Sequence, residues 1–294
     1  MMKLKRKLIK SYLVCLFSYI SALVIIFFFW MIGSQLPILV FVFLADIIGT
    51  FVIFIFSTIF KNASLYDPYW SVTPLIITIF YIFNSGSLSL RNIIVTIFVF
   101  VWSIRLTYNW SRQWKALSHE DWRYKDLRTK NGKKFWIVNL FGIQMMPTIL
   151  VYLGTLSIYT VFYMNNQNLT ILDIIAFIII LSAVLCETLA DQQLNNFIKH
   201  RNSQEETIKS GLWKFSRHPN YFGEILFWWG LYVFSLSTSL ESWWFIIGPL
   251  SITLLFLAVS IPLMEKKNMM TKPSYEEYKK DVSKLIPWFK KKRE

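Results

Sequence analysis

Residues 37–60 run for 24 positions with a single ionisable side chain, Asp46. A helix of about 20 apolar residues crosses the roughly 30 Å hydrocarbon core of a bilayer. Few soluble folds can hide a run of this length. It has company: further apolar runs occupy 11–32, 72–84, 92–110, 136–163, 169–190, 219–237 and 243–264. The pattern predicts an all-α, polytopic transmembrane helix bundle of about seven to eight spans. The 72–84 run is short and has Pro74 near its start, so it reads as tilted or re-entrant. The 136–163 run is long, and Pro147 predicts a kink. The first run is too long for a signal-peptide core and lacks a small-residue cleavage site, so it reads as a membrane helix. Residues 1–60 are expected to form N-terminal membrane helices and 61–294 a second membrane domain.

Composition agrees. The mean hydropathy is +0.44 and 16% of residues are charged, against about 25% in average soluble domains. The net charge of +14 does not imply nucleic acid, because the charges sit at the ends of apolar runs rather than on one basic face. Cys15 and Cys186 lie inside apolar runs and read as packing residues. With the N-terminus in the cytosol, an eight-span reading puts 29 of the 31 Lys and Arg on the cytosolic side. The exceptions are Arg91, in an opposite loop, and Arg105, inside a run. By the positive-inside rule both termini are expected to be cytosolic. The basic KKKRE at 290–294 reads as an ordinary tail, or as a retrieval signal in a eukaryote.

Polar groups inside apolar runs are costly and usually functional. Asp46, Arg105, Glu187, Asp191 and Glu224 qualify. Asp46 reads equally well as a packing hydrogen bond, and Arg105 as a headgroup contact. Glu187, Asp191 and Asn195 recur every four residues and form one helical stripe. Such a stripe at a cytosolic helix end suits a ribose or an amide. Asn220 and Glu224 repeat the spacing at the start of the next run, behind Lys214, Arg217, His218 and Pro219. Basic groups at a helix N-terminus suit an anion, most simply a phosphate. No two glycines are one residue apart, so neither a Rossmann fingerprint nor a P-loop is present. His119, His200 and His218 match no metal spacing.

Six segments together resemble a known family. They are NASLYDPYW (62–70), WSIRLTYNW (102–110), HEDWRYKDLR (119–128), ETLADQQLNNF (187–197), GLWKFSRHPNYFGE (211–224), and IPLMEKKN followed by YEEYKKDVSKLIPW (275–288). In this order they resemble the membrane reductases of the steroid 5-alpha-reductase C-terminal type, in the broad branch described as a domain of unknown function. The resemblance implies an NADPH-dependent reductase in a helix bundle, with the dinucleotide in a cytosol-facing cavity. It places Asp191 on a ribose, and Asn220 and Glu224 on the nicotinamide carboxamide. It places Arg105, Arg123, Tyr124, Lys199, Arg217, His218 and Tyr278 around the phosphates and adenosine. Glu187, Asn195 and Tyr221 complete the expected cofactor set. Tyr66, Asp67 and Tyr69 are the expected catalytic residues, supplying the acid for reduction of a C=C conjugated to a carbonyl. The substrate is expected to be lipophilic, sterol- or isoprenoid-like, and to enter from membrane lipid, in the cell membrane of a bacterium or the endoplasmic reticulum of a eukaryote. No metal, nucleic acid or obligate protein partner is expected.

Two other readings compete. The run Arg217-His218-Pro219-Asn220-Tyr221 also fits membrane methyltransferases of the isoprenylcysteine carboxyl and phospholipid types, which use S-adenosylmethionine. A transporter or scaffold would place polar groups at the bilayer midplane, where only Asp46 and Pro147 support it.

Overall fold

The computed structural model describes residues 2–86, 88–164 and 168–289, which are helical with no strand among them beyond one isolated bridge. The KKKRE segment lies outside the described residues. Every apolar run becomes a helix. The first four are α1 (Met2–Gly33), α2 (Ile38–Ile59), α3 (Tyr69–Ser85) and α4 (Leu90–Gln113). The 136–163 run is the end of a longer helical stretch, Trp122–Tyr163. It comprises α5 (Trp122–Asn131), α6 (Phe135–Ile137), a π-helical segment (Val138–Met145) and α7 (Met146–Tyr163). Then follow α8 (Ile171–His200), α9 (Pro219–Thr238), α10 (Ile247–Leu255), α11 (Ile261–Thr271) and α12 (Tyr275–Asp281).

Six helical stretches are long and apolar enough to cross a membrane, and they are compatible with an integral membrane protein. They are Arg6–Gly33, Ile38–Ile59, Leu90–Gln113, Trp122–Tyr163, Ile171–His200 and Leu240–Thr271. The other two runs make shorter or more polar helices: α3 has 17 residues, and α9 carries Asn220 and Glu224 in its first two turns. The exposed faces of the long helices are apolar. On α1 alone Leu13, Phe17, Phe27 and Phe28 are each more than half exposed, a surface suited to lipid rather than water.

The two π-helical segments share a cause. Val138–Met145 ends two residues before Pro147, and Phe256–Ser260 ends two before Pro262. A proline cannot donate to the carbonyl four residues back, and its ring crowds that carbonyl. Widening the preceding turn relieves the crowding without ending the helix. The expected disturbance at Pro147 is therefore a widened turn on its N-terminal side.

The chain divides into two compact units, Met1–Gly86 with Val99–Thr155, and Ser87–Phe98 with Leu156–Glu294. In the first, α1 and α2 pack through aromatic contacts such as Phe29 on Phe41, with ring centroids 5.3 Å apart. In the second, α8 and α9 run antiparallel along a seam of small residues. Ala176, Ala183 and Ala190, seven apart, are fully buried on α8. Gly223 and Gly230, also seven apart, face them from α9. A side chain at Gly223 would meet Ala183 O at 2.9 Å, and one at Gly230 would meet the Ile180 side chain. Small residues are how membrane helices bring backbones close without a hydrophobic driving force.

Arg91 is not a solvated loop charge. It is 1% exposed and grips Asp173 through Nε (2.6 Å) and Nη2 (2.9 Å). Asp173 also caps the start of α8 through the Thr170 amide and accepts from Ser237. Arg91 stood out in the sequence only as a basic residue in an opposite loop, and Asp173 did not stand out; in the structure Asp173 completes a capping box with Thr170.

Candidate functional site

The polar residues singled out in the sequence fall into one constellation in each unit. The first is built on the loop between α2 and α3. Asn62 opens a short 3₁₀ turn by accepting from Ser64 N at 2.9 Å. Its amide donates to Leu117 O (2.8 Å) and His119 O (3.1 Å), fastening the segment before α5 to this loop. Glu120 Oε1 accepts from Ala63 N (2.8 Å), Ser64 Oγ accepts from Asp121 N (2.9 Å), and Arg128 closes on Glu120 at 2.7 Å. Arg128 also lies 4.0 Å above the Phe135 ring and donates to Lys61 O. The NASLYDPYW and HEDWRYKDLR segments are thus two halves of one polar knot. Asn62, Ser64, Glu120 and Arg128 are spent in tying it, and the last two were missed as individuals by sequence reasoning.

The knot presents Asp67 and Tyr124. Tyr124 Oη donates to Asp67 Oδ1 at 2.7 Å, and Arg123, ion-paired to Asp121 at 2.8 Å, faces the same carboxyl. Burial pushes the Asp67 carboxyl up to about 6, outweighing the downward pull of Arg123 and the Tyr124 hydrogen bond. A carboxyl tuned toward neutrality is suited to giving and taking protons.

Tyr66 and Tyr69 turn away from solvent. Tyr66 Oη pairs with Thr148 Oγ1 (2.6 Å), which pairs in turn with Thr50 Oγ1 (2.6 Å). Tyr69 Oη donates to Asp46, 2.8 Å from Oδ1. The two rings stack at 5.0 Å. Asp46 and Tyr69 line an apolar cavity of about 400 Å³ among α1, α2 and α3. Arg105 is half-buried on α4, three residues after the fully buried Trp102.

The second constellation sits on the α8/α9 seam. Asn220 Nδ2 donates to Asp191 Oδ1 at 3.4 Å, both residues half-buried. One turn deeper, Glu187 (2% exposed) packs against Gly223, and Glu224 (5% exposed) accepts from Trp228 Nε1 at 3.0 Å. The expected stripe is therefore real, with carboxyl and amide facing each other across the seam. Asn195 is half-buried further along α8, and Lys199 is exposed in its last turn.

Arg217, His218 and Tyr278 do other work in the structure. Arg217 Nη2 lies 3.0 Å from Glu265 Oε1, and its Nη1 donates to Lys279 O at 2.6 Å. His218 Nε2 is 3.5 Å from the same carboxylate, and Lys279 Nζ is 3.4 Å from Oε2. Burial holds the His218 imidazole below its usual pKa, against the opposing pull of Glu265. Its ring stacks on Tyr221, centroids 5.4 Å apart. Tyr278 Oη donates to Trp213 O. The segment after α12 returns beside this loop, with Arg217 N on Ser283 O, Trp288 N on Phe215 O and Ser216 Oγ on Leu285 O. Glu265 is the hub of this clasp. Sequence reasoning noted its segment but not its role.

A dinucleotide fits part of this second constellation. Asp191 can accept from both hydroxyls of a ribose, and Asn220 can give to and accept from a carboxamide. The phosphate end fits less directly, because the Arg217 guanidinium is already bonded within the clasp. Among the described residues no group of three His, Cys, Asp or Glu could hold a metal.

No solved structure gives a significant match to the chain. An uncharacterized protein of Schizosaccharomyces pombe is 28% identical over 255 residues, covering 77% of this chain and 73% of the relative. Residues 53–282 match DUF1295, described as a protein of unknown function. That span holds Asn62 to Asp67, Glu120 to Arg128, the α8/α9 seam and Glu265, and the chain belongs to the DUF1295 family.

Proposed function

We propose that the protein is a membrane-embedded, NADPH-dependent reductase acting on an activated C=C of a lipophilic substrate. The observation that carries the reading is the Asp191–Asn220 pair on the α8/α9 seam, with Glu187 and Glu224 buried behind it. Four amide and carboxyl side chains on one seam match the diol and carboxamide of a nicotinamide nucleoside better than they match an ion. The resemblance of six segments to steroid 5-alpha-reductase-type proteins supports it from the sequence. The apolar cavity in the other unit supports a lipophilic substrate.

NADPH, when bound, supplies the hydride that adds to the electron-poor carbon of the double bond. The residues have three tasks. Asp191 and Asn220 hold the nucleoside by its ribose and carboxamide. Glu224, fixed by Trp228, joins Asn220 on the carboxamide. The third is to give a proton, for which Asp67 is chemically best equipped: burial raises its carboxyl to about 6 and Tyr124 holds it. Tyr66 and Tyr69 are less suited as acids, since their hydroxyls are engaged with Thr148 and Asp46.

Thermal shift of the detergent-purified chain with NADPH, NADH and S-adenosylmethionine tests the proposal. NADPH should raise the melting temperature, and Asn220→Ala should remove that rise while leaving the ligand-free melt intact; Glu224→Ala should also remove it but lower the ligand-free melt, because Trp228 Nε1 loses its acceptor. A rise with S-adenosylmethionine and none with NADPH would point to a methyltransferase and end the reductase reading.

A further inference from the structure

The second unit has a cleft where its last membrane-length stretch, Leu240–Thr271, comes to an end. Its volume of about 470 Å³ falls in the ~300–1,000 Å³ range of small-molecule sites. Met269 and Met270 of α11 line it together with four charged side chains: Glu265 and Lys266 of α11, Lys279 of α12 and Lys284 beyond it.

The carboxylate among these is already spent. Glu265 is buried, Arg217 and His218 approach its Oε1 at 3.0 and 3.5 Å, and Lys279 lies 3.4 Å from Oε2. Lys266 and Lys284 are exposed and ion-paired with nothing among the described residues. Three lysines against one carboxylate leave the lining two charges positive, and Arg217 adds a third behind it. A cleft of that charge takes an anion, and lysine ammoniums bind phosphate as compact point charges.

Depth in the membrane says where the phosphate comes from. The apolar run 243–264 stops two residues before Lys266, a rise of about 3 Å on a helix. Lipid phosphates lie in the headgroup layer, which spans roughly 5–8 Å beyond each edge of the hydrocarbon core. Lys266 is therefore at headgroup depth. Met269 and Met270 are 49% and 77% exposed at the lining. A soluble ion leaves them uncovered, and the glycerol end of a lipid covers them. The closing segment adds Ile286, Trp288 and Phe289, all exposed, and rings mixed with cations suit a membrane interface. By the charge count this end is expected in the cytosol, where basic pockets of a helix bundle suit anionic headgroups.

We propose that the cleft binds the phosphate of an anionic phospholipid, held by Lys266, Lys279 and Lys284, with Met269 and Met270 against the glycerol and the first acyl carbons. Such a lipid joins α11 to α12 and to the closing segment, the elements that the Glu265 clasp already fastens, so it strengthens that clasp. The inference rests on the chain being embedded in a membrane and not on NADPH.

Native mass spectrometry of the full chain, released from detergent after addition of dioleoyl phosphatidate or dioleoyl phosphatidylcholine, reads the bound lipid. Phosphatidate should bind about tenfold tighter or more, because choline brings a cation to a cationic cleft. Lys266→Gln combined with Lys284→Gln should remove that preference, a loss of about tenfold or more. Both side chains are exposed, so the ligand-free melt should hold. Met270→Glu keeps every lysine, puts a carboxylate on the lining and should also weaken phosphatidate. Lys133→Gln combined with Lys134→Gln removes the same charge from an exposed turn of the first unit and should leave binding unchanged. Equal binding of the two lipids by the native chain, equal losses in the two lysine pairs, or full preference retained in Met270→Glu would overturn the proposal. So would displacement of phosphatidate by inorganic phosphate or by 2′,5′-ADP, which would assign the cleft to a soluble phosphate. The NADPH melt of the Lys266/Lys284 variant should match that of the native chain. Absence of an NADPH response in both would count against the reductase and leave the lipid result standing.

Discussion

Replacing Gly223 by alanine puts the α8/α9 seam to a quantitative test. The new methyl would overlap Glu187 Cγ, lie 2.9 Å from Ala183 O and lie 3.1 Å from Glu187 N. Two of these three atoms belong to the backbone of α8 and cannot rotate away, so the helices must part. Overpacking of this kind costs roughly 1–3 kcal/mol, and a backbone clash belongs at the upper end. Alanine recovers about 1 kcal/mol over glycine in helix propensity. The net expectation for Gly223→Ala is a loss of about 2 kcal/mol. Gly230→Ala is the control. The nearest atoms to its methyl are side-chain atoms of Ile180 and Ile179 rather than backbone; Ile180 is fully buried and must shift, so an overpacking cost of about 1–2 kcal/mol is only partly offset by the same propensity gain. Reversible unfolding in mixed micelles of increasing SDS content reads both, and NADPH thermal shift reads the site, since Asn220 lies one turn before Gly223. Gly223→Ala should lose stability and weaken the NADPH response, while Gly230→Ala should stay within about 1 kcal/mol of the native chain. If Gly230→Ala proves the more damaging, or Gly223→Ala is neutral on both readouts, the seam is not packed as described.

Further expectations follow from other residues. The Asp67 carboxyl has a folded-state value of about 6, above its unfolded value, so its ionisation costs stability. The Asp67 contribution should be greatest below about pH 4 and be lost as pH rises to about 6, by up to about 3 kcal/mol, and Asp67→Asn should flatten that limb of a melt-versus-pH curve. If Asp67 is the proton donor, turnover should also fall about tenfold per unit above pH 6, a slope steady-state assays can read. Glu120→Leu removes the acceptor of the buried Ala63 amide and the partner of the part-exposed Arg128, and should cost about 1–3 kcal/mol, mostly from the orphaned amide. Glu120→Gln keeps the amide contact and should cost less, and a double-mutant cycle with Arg128→Met should show coupling by SDS unfolding. Asp173→Asn strands the buried Arg91 guanidinium and should lose about 3–5 kcal/mol in SDS unfolding, with NADPH binding to the remaining folded protein unchanged.

The helices were legible because their cause is local. A run such as 169–190 has the composition that lipid demands, and α8 covers it and continues to His200. The Glu187–Asp191 stripe was legible for a similar reason, since a spacing of four is read from the chain itself. Its partner Asn220 could be named but not paired, because antiparallel register is set by Gly223 and Gly230 against α8. Contacts that close over long sequence separations left no such trace. Arg217 looked like a phosphate ligand until Glu265, 48 positions later in the numbering, was seen to hold it. Asp46 was visible as an oddity, but only the fold shows Tyr69 holding one of its oxygens. The Trp122–Tyr163 stretch shows the reverse case: Pro147 announced a disturbance, and its form, a widened turn from Val138 to Met145, needed coordinates.

The clasp at Glu265 also sets an order on biosynthesis. The loop before α9 is fastened by Ser283, Leu285 and Trp288, residues translated after every apolar run. Until they are made, the loop is held on that side through Glu265 and Lys279 without its hydrogen bonds to the closing segment. The unit that carries the α8/α9 seam is therefore completed late in synthesis, and a chain stopped short of residue 283 would leave that loop unfastened.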